Sequence, residues 1–339
     1  MVSMSPLRRL LFLWLVLLGT TAFKPSTPPS ARSAILISWD GAMREHVQDS
    51  LNRHELPHLA QLLKEGRMVE VEVTGHVTDT RPGHAQMLTG YDPQVTGVYT
   101  NSHYRPIPLG LSLFERLQQA FGKKNIATIM LTGKPMGLGP GGPRRLAEPG
   151  LNESSSIGGH GKERSQLESI HLKQEHNVAG QPFYLTKSAL TRWDGDSTRD
   201  ASRVGPKALA AIDKYASGRF FLFIHFGDAD VAGHTYGENS RAYDEALATL
   251  DQWLGRIMLK LKSTKADDRT VVYVTSDHGF DVGTTHHYHA THIFLAGNDP
   301  YLVQHGEQRD VTPTVLHALG VDTNTITPPL QGKSLRREP

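Results

Sequence analysis

The sequence predicts an α/β fold with a mostly parallel central sheet and helices on both of its faces. Short apolar runs, which are typical of buried strands, alternate along the chain with segments that repeat apolar residues at helical spacing. Acidic residues lie at or just after the ends of three strand-like runs, at Asp40, Asp230 and Asp277. Functional residues of parallel sheets collect in loops beyond the carboxyl ends of the strands, so we expect these side chains at one edge.

The first part of the chain contains two predicted strands and two predicted helices. Ala34–Trp39 is a short apolar run, which predicts a buried strand. His54–Glu65 repeats leucines at helical spacing and is followed by Gly66, which predicts a helix and its end. Met68–Val73 alternates between apolar and polar residues and predicts a second strand, and Leu111–Phe121 is predicted as a helix.

The rest of the chain continues the alternation. Ile126–Leu131 and Phe220–Phe226 are apolar runs that predict strands. Arg241–Leu261 keeps an apolar stripe at helical spacing, which predicts a long helix. The remaining predicted elements are the strands Val271–Val274 and Ile293–Ala296 and the helix Val311–Leu319.

Two regions depart from this alternation. Residues 133–196 are rich in glycine, proline, serine and charge with little periodicity, which predicts a cap inserted over the site. At the amino terminus, two arginines precede a short apolar run and several small residues, the pattern of a signal peptide over residues 1–22. Residues 23–33 are predicted to be a Pro/Ser-rich linker, which leaves residues 34–339 as a single domain.

The signal segment predicts an exported protein, periplasmic or secreted. Its apolar run is shorter than the roughly 20 residues that span a bilayer, so we expect no stable membrane span after cleavage; an uncleaved anchor is the alternative. The chain has no cysteine, which excludes disulfides and thiol chemistry and suits a bacterial periplasm. A net charge of +2, with 38% hydrophobic and 21% charged residues, indicates an ordinary globular protein without a nucleic-acid-binding surface.

Carboxylates and imidazoles stand close together at two of the strand ends. Asp230 and His234 are four residues apart in a predicted loop, where both side chains can reach one cation. Asp277 and His278 are adjacent and directly follow a predicted strand. Carboxylate oxygen and imidazole nitrogen are both zinc ligands. Each pair also has a simpler interpretation, a capping aspartate beside a surface histidine, and Asp40 alone is equally a turn residue before glycine.

A threonine lies where a helix is expected to begin. Within residues 78–84 (TDTRPGH), Pro82 suits the first turn of a helix, where its missing N–H costs nothing. Thr80 then lies beside free backbone N–H groups that favour an anion. This threonine is either a simple N-cap or a hydroxyl that a bound metal deprotonates for attack on phosphorus.

Four histidines fall within a short stretch before the predicted strand Ile293–Ala296. Either one of them is a metal ligand and the others line the site, or the stretch is a solvated loop. Spacing alone singles out none of the four, which are His286, His287, His289 and His292.

Together these motifs resemble the alkaline phosphatase superfamily, and within it the nucleotide pyrophosphatase/phosphodiesterase branch. Residues 78–84, followed by residues 88–93 (LTGYDP), are similar to the family's nucleophile segment T-x-T-x-P-x-H and its T-G-x-x-P turn. Residues 230–237 match its D-x-x-G-H-x-Y-G element, and residues 277–279 match its D-H-G element. Asp40 matches the family's first aspartate.

The resemblance implies a hydrolase of phosphate esters that acts through a phosphothreonine on Thr80. Asn101 stands where the family places an asparagine that contacts the phosphoryl oxygen. The implied partner is a phosphorylated small molecule. Lys134, just after a predicted strand, is either a further contact to a phosphoryl oxygen or substrate carboxylate, or a surface lysine.

The resemblance also implies two divalent metal ions, most often zinc. For the last ligand, relatives favour His286, which precedes the following strand at the expected distance, while His287 and His289 remain alternatives. The ligands implied for one ion are Asp40, Asp277, His278 and Thr80, and those for the other are Asp230, His234 and the late histidine.

The sequence departs from the family pattern in ways that leave the substrate open. The cap matches nothing in the family, an H-G-x-x-N segment is missing near the late histidine, and Gly83 replaces an asparagine of the animal enzymes. A phosphomonoesterase or phosphonate hydrolase with the same metal site is therefore the alternative enzyme. A formylglycine sulfatase is disfavoured because that cofactor needs cysteine or serine where this chain has Thr80. The alternative from another class is a non-catalytic exported module that binds metal or a phosphorylated ligand.

Overall fold

This computed structural model describes residues 31–142, 144–145, 177–178, 180–198 and 200–337. The predicted signal peptide, most of the predicted linker and the centre of the predicted cap lie outside the described residues.

An eight-stranded mixed sheet runs through the molecule. Its strands are β1 (Ser33–Trp39), β2 (Arg67–Glu72), β3 (Ala127–Thr132), β6 (Arg192–Gly195), β7 (Phe220–Phe226), β8 (Thr270–Thr275), β9 (His292–Gly297) and β10 (Gly306–Glu307). A separate pair consists of β4 (Arg144–Arg145) and β5 (Asn177–Val178). The spatial order in the large sheet is β10-β2-β9-β8-β1-β7-β3-β6. The five strands from β8 to β6 are mutually parallel, and β9 runs antiparallel to both of its neighbours.

Helices cover both faces of this sheet, as the sequence predicts. They are α1 (Arg44–Asn52), α2 (Pro57–Leu63), α3 (Thr80–Thr89), α4 (Pro93–Thr96), α5 (Leu113–Phe121), α6 (Pro135–Leu138), α7 (Ala201–Tyr215), α8 (Asp228–Tyr236), α9 (Arg241–Ser263) and α10 (Val311–Ala318). Short 3₁₀ turns lie at Leu185–Ala189, Asp267–Arg269, Gln308–Asp310 and Thr323–Thr325. Within the described part of the chain, no helix is both long and apolar enough to cross a lipid bilayer.

Alternate residues of the central strands point into two separate hydrophobic cores. In β1, Ile35 and Ile37 pack into one core with α7 and α9, whereas Ala34 and Leu36 pack into the other with α3, α5 and α10. A strand turns successive side chains to opposite faces, so a strand covered on both faces must be apolar throughout. This explains why the central strands appear in the sequence as unbroken apolar runs.

Side chains form hydrogen bonds with backbone N–H groups at the starts of two helices, α2 and α5. Asp251, on α9, accepts hydrogen bonds from the backbone N–H groups of His58 at 3.0 Å and Leu59 at 2.7 Å. These N–H groups belong to the first turn of α2 and have no partner within that helix. At α5, Ser112 and Glu115 form a reciprocal capping box.

The register of the parallel strands brings their carboxyl ends to one level. Trp39 of β1 lies opposite Phe226 of β7, and Thr132 of β3 lies opposite His225. Ser38 pairs with Thr275, the last residue of β8. The segments that follow these four strands therefore meet at one edge of the sheet. The chain between β8 and β9 stays at this same edge, because β9 is antiparallel and begins where β8 ends.

The observed elements differ from the predicted ones in several places. No predicted counterpart exists for the helices α1, α4, α6 and α7 or for the strands β4, β5 and β10. Asp230 and His234, predicted in a loop, lie on α8, where a spacing of four residues puts both side chains on one helical face. Strand β6, which falls within the range predicted as a cap, pairs with β3 in the central sheet.

Helices α7 and α9 pack so closely that the backbone of Gly205 lies against the ring of Trp253, and this contact can be tested. A Cβ atom at Gly205 would lie 2.1 Å from Cε3 of Trp253. We expect Gly205→Ala to lower the free energy of unfolding by about 1–3 kcal/mol, because the ring must shift. Gly218→Ala is the matched control, since its nearest neighbour would be 3.7 Å away. Thermal unfolding monitored by circular dichroism measures both, and an unchanged melting temperature for Gly205→Ala would contradict the packing described.

Candidate active site

Three aspartates form the centre of the site at the carboxyl edge of the sheet. Asp40 follows β1, Asp277 follows β8, and Asp230 lies in the first turn of α8; all three are buried. Gly41 has a left-handed backbone with φ of 74°, and its N–H donates to Asp277 Oδ1 at 3.1 Å. A Cβ atom at Gly41 would lie 2.9 Å from Cα of Asp230, so only glycine lets the three strand ends approach this closely.

One group of ligand atoms surrounds His278. The Nδ1 atom of this residue lies 3.0 Å from its neighbour's carbonyl, Gly279 O, which can only accept, so Nδ1 carries the proton and Nε2 has a lone pair. Nε2 lies 3.6 Å from Asp40 Oδ1 and 3.5 Å from Asp277 Oδ2. None of these three buried atoms has a hydrogen-bond partner among the described residues.

Such an arrangement of lone pairs is unfavourable unless a cation lies between them. Imidazoles that bind metal commonly donate their other N–H to a backbone carbonyl, as His278 does. The donor set of Asp40, Asp277 and His278 therefore suits a divalent ion. The ligand atoms of Asp40 and His278 also lie within 4.8 Å of one another and of a carboxylate oxygen of Asp230, so Asp230 adjoins this group as well as the second one.

A second group is formed by Asp230, His234 and His287, whose ligand atoms all lie within 4.8 Å of one another. His234 Nε2 is 3.2 Å from Asp230 Oδ1 and 3.1 Å from His287 Nε2. His234 Nδ1 faces the carbonyl of Thr285 at 2.9 Å, which again leaves Nε2 as the ligand atom. Burial lowers the pKa of His287 to about 4, with a further contribution from His278, so its imidazole is neutral at pH 7.

The late histidine in this second group is His287, whereas the sequence analysis favoured His286. The ring of His286 is exposed and stacks on Tyr288. The loop is held by Asp281, whose carboxylate accepts the N–H groups of Tyr288 and His289, both at 2.9 Å. Asp281 also donates its own N–H to the carbonyl of His286 at 2.8 Å. This turn directs His287 inward between His278 and His234.

The other two candidates of the cluster lie away from both groups. The side chain of His289 is 90% exposed, and His292 pairs with Glu45 at 2.8 Å on the surface.

Thr80 begins α3 beside these groups. Its hydroxyl accepts a hydrogen bond from Lys134 Nζ at 2.9 Å, and the same ammonium contacts Asp40 Oδ2 at 2.7 Å and Asp230 Oδ2 at 2.9 Å. Lys134 is therefore not a surface lysine: only 12% of its side chain is exposed. It follows β3, whose carboxyl end lies level with β1 and β7.

The charges of this cluster shift the pKa values of its members. Burial raises the pKa of the Asp277 carboxyl to about 7, and the negative charge of Asp40 adds to the shift. Burial alone would raise the pKa of Asp40, but the charge of Lys134 and the hydrogen bond from His225 hold it well below its usual value. Burial opposes the charge of Lys134, yet Asp40 and Asp230 raise the pKa of its ammonium. One lysine does not neutralise three carboxylates, which again favours further cations.

Asn101 lies next to Thr80 and is held in a defined orientation. The side-chain Oδ1 of Asn101 accepts a hydrogen bond from the backbone N–H of Arg81 at 3.0 Å. The backbone N–H of Asn101 donates to Asp79 Oδ2 at 2.7 Å. The guanidinium of Arg81 donates to the carbonyls of Asn101 and Met136 and stacks on the ring of Tyr104. A cavity of about 300 Å³ opens here, lined by Thr80, Arg81, Asn101, Lys134 and Ser197 among others.

Two further buried histidines contact the aspartates: His225, which the sequence analysis missed, and His84, which ends the segment of residues 78–84 but was given no role there. His225 Nε2 lies 2.7 Å from Asp40 Oδ2. His84 Nδ1 lies 2.8 Å from the carbonyl of Thr80 and 3.4 Å from Asp277 Oδ2, and burial lowers its pKa to about 4. The available signal for His225 was its position, since it is a lone polar residue near the end of the apolar run Phe220–Phe226.

Comparison with known proteins assigns this chain to a family. The sequence pattern of the type I phosphodiesterase / nucleotide pyrophosphatase family matches residues 34–132 and 158–318. The chain is 25% identical over 260 residues to the mouse (Mus musculus) protein bis(5'-adenosyl)-triphosphatase enpp4, covering 75% of this chain and 48% of that protein. It is 23% identical over 244 residues to GPI ethanolamine phosphate transferase 1 of Gibberella zeae, covering 71% of this chain and 22% of that protein. The chain thus spans about half or less of these relatives.

Solved structures share the fold. Alkaline phosphatase from the Antarctic bacterium TAB5 superimposes with a TM-score of 0.54 at 14% identity, covering 86% of this chain and 99% of that one. Phosphonate monoester hydrolase from Silicibacter pomeroyi gives a TM-score of 0.52 at 18% identity, covering 91% of this chain and 76% of that one. The site lies at the carboxyl edge of a sheet with the alkaline phosphatase architecture, and the chain belongs to the type I phosphodiesterase / nucleotide pyrophosphatase family.

Proposed function

We propose that this chain hydrolyses phosphate esters with Thr80 as its nucleophile, in the manner of a phosphodiesterase or nucleotide pyrophosphatase. The observation that carries the proposal is the position of the Thr80 hydroxyl. It lies at the first residue of α3, hydrogen-bonded to Lys134, beside buried carboxylates and imidazoles whose ligand atoms converge. The simpler interpretation of Thr80 as an N-cap does not hold, because the N-cap residue of α3 is Asp79.

Two divalent ions would occupy the two groups of ligand atoms, and a donor set of carboxylates and imidazoles without thiolates suits zinc. When bound, such ions lower the pKa of a coordinated hydroxyl or water and neutralise charge on the transferring phosphoryl group. The residues that would hold one ion are Asp40, Asp277, His278 and Thr80, and those for the other are Asp230, His234 and His287.

The chain's own residues support attack by the hydroxyl and departure of the product. The Thr80 hydroxyl gives up its proton to solvent as Oγ1 bonds to phosphorus, the bond to the leaving oxygen breaks, and that oxygen departs with the electron pair and takes up a proton from solvent. Asn101, whose Oδ1 is engaged by Arg81, presents its amide N–H groups to the phosphoryl oxygens. The start of α3 offers little beyond this, because the N–H groups of Arg81 and Gly83 already donate to Asn101 Oδ1 and to the carbonyl of Asp79, and Pro82 has none. Water then cleaves the phosphothreonine from the side of Asp230 and His234 and restores Thr80.

Lys134 gives specific support to a second candidate function, a phosphomonoesterase; a phosphonate hydrolase with the same site gains nothing from this residue, since a phosphonate monoester carries a single charge. A buried ammonium 2.9 Å from the nucleophile adds positive charge to the phosphoryl pocket. A monoester carries a second negative charge there, and a diester does not. The notion of a non-catalytic binding module is less favoured, because the nucleophile and both ligand groups are present together. Export through the predicted signal peptide belongs to the same proposal, since a periplasmic or secreted enzyme would meet phosphorylated small molecules outside the cell.

The nucleophile can be tested within its own motif. We expect Thr80→Ala to lose at least about a thousandfold in kcat/KM, because no other hydroxyl takes its place. Thr78→Ala is the control and should be far milder, since the Thr78 hydroxyl only donates to the backbone carbonyl of His287. Both variants should keep the wild-type melting temperature. An inactive Thr78→Ala beside an active Thr80→Ala would refute the assignment.

Because His287 belongs to the second ligand group and His286 does not, alanine substitutions of these adjacent residues should differ in their effect on bound zinc. We expect His287→Ala to reduce bound zinc from two ions per chain to one and to abolish nearly all turnover. His286→Ala should retain both ions, because its ring stacks on Tyr288 outside the site. Elemental analysis of dialysed protein measures the ions directly. Loss of an ion in His286→Ala but not in His287→Ala would show that the loop binds metal in another arrangement, and full activity after exhaustive chelation would exclude the metal site altogether.

Lys134 predicts a difference between substrate classes. Lys134→Met should lower kcat/KM for p-nitrophenyl phosphate at least about tenfold more than for bis-p-nitrophenyl phosphate, because only the monoester presents the second charge. Lys123→Met, a lysine that donates only to the backbone carbonyl of Ser188, is the control. Equal losses for both substrates would remove the argument for a monoesterase.

A further inference from the structure

We propose that His225 is a positioning residue: its imidazole holds the Asp40 carboxylate in the orientation in which one oxygen is free to bind an ion beside Thr80. This inference rests on the proposed function. It concerns a residue outside every motif of the sequence analysis, on the strand β7 next to β1.

Hydrogen bonds define the tautomer of His225. Its ring is fully buried, and the backbone nitrogen of Gly133 lies 3.2 Å from both Nδ1 and the carbonyl oxygen of His225, so its N–H is shared between these two acceptors. A backbone N–H can only donate, so Nδ1 accepts and Nε2 carries the proton. Nε2 therefore donates to Asp40 Oδ2 at 2.7 Å. The donor direction follows from these partners and does not depend on the ionisation of either group.

This hydrogen bond makes the two oxygens of Asp40 different. Oδ2 is engaged by His225 and also contacts Lys134, both at 2.7 Å. Oδ1 has no hydrogen-bond partner among the described residues and faces Nε2 of His278 at 3.6 Å. A carboxylate that could rotate freely would present either oxygen, whereas His225 keeps Oδ1 directed at the ligand group. Partners that orient a ligand in this way commonly account for about 10–100-fold in metal affinity.

A packing role and a positioning role of His225 predict different effects of substitution on zinc affinity. The His225 ring also contacts the ring of His84, with centroids 5.2 Å apart, so its volume contributes to the core. A packing role depends on volume, but a positioning role depends on a donor at the place of Nε2. Glutamine puts its amide nitrogen near that place. Asparagine puts its amide near Nδ1, where it can still accept from Gly133 but cannot reach Asp40.

The experiment compares His225→Gln with His225→Asn in full-length protein that already carries His287→Ala. That background removes the other ligand group, so a single zinc site is measured. Metal-stripped protein is titrated with Zn²⁺ against a chromophoric chelator, and thermal unfolding is followed in parallel. We expect His225→Gln to bind zinc within about threefold of the His287→Ala parent, and His225→Asn to bind about 10–100-fold more weakly.

Two results would overturn the inference. Equal affinities for the glutamine and asparagine variants would show that the donor is irrelevant. Weak binding by a folded glutamine variant would show the same, even if the asparagine variant failed to fold. Both results leave the proposed function intact if the wild-type protein binds two zinc ions and hydrolyses esters. A wild-type protein that binds no zinc would instead overturn the proposed function and this inference with it.

Discussion

The packing of three carboxylates at one edge of the sheet is the constraint on which the rest of the site depends. Asp40, Asp230 and Asp277 are buried, and buried carboxylates are costly unless cations or hydrogen-bond donors compensate them. Among the residues that the structure describes, Lys134 supplies a cation, and His225 and the backbone N–H of Gly41 supply hydrogen-bond donors. These partners engage only part of the oxygens, so the surroundings define which oxygens remain as ligands. The requirement for further positive charge follows directly from this arrangement.

The order of the strands explains why these groups meet. Parallel neighbours end at one level, so the residues after β1, β3, β7 and β8 share an edge although they are far apart in the chain. The reversal at β9 returns the loop with the histidines to the same place. A fully parallel sheet would need a crossover at this point, which would carry the chain away from the site. The one antiparallel strand among the central strands thus completes the second ligand group.

The segments around Thr80 are tied together for a related reason. Arg81 directly follows Thr80, and its backbone and guanidinium connect this position to Asn101 and to the turn after Lys134. Three segments that would contact one phosphoryl group are therefore linked through a single residue. Hydrogen-bond donors held in place before the reaction stabilise developing charge without reorganisation.

The sequence by itself determined the α/β architecture and most strands of the central sheet, because strands buried on both faces must be apolar and polar residues at their ends then stand out. Asp40, Asp277 and His278 were visible in this way, and Thr80 stood out at the start of a predicted helix. Only the tertiary structure decided that His287 and not His286 faces Asp230, because hydrogen bonds to Asp281 set the turn of that loop. It also placed Lys134 and His225 against Asp40. Their roles depend on contacts between separate strands, and no local pattern along a chain records which strands will be neighbours.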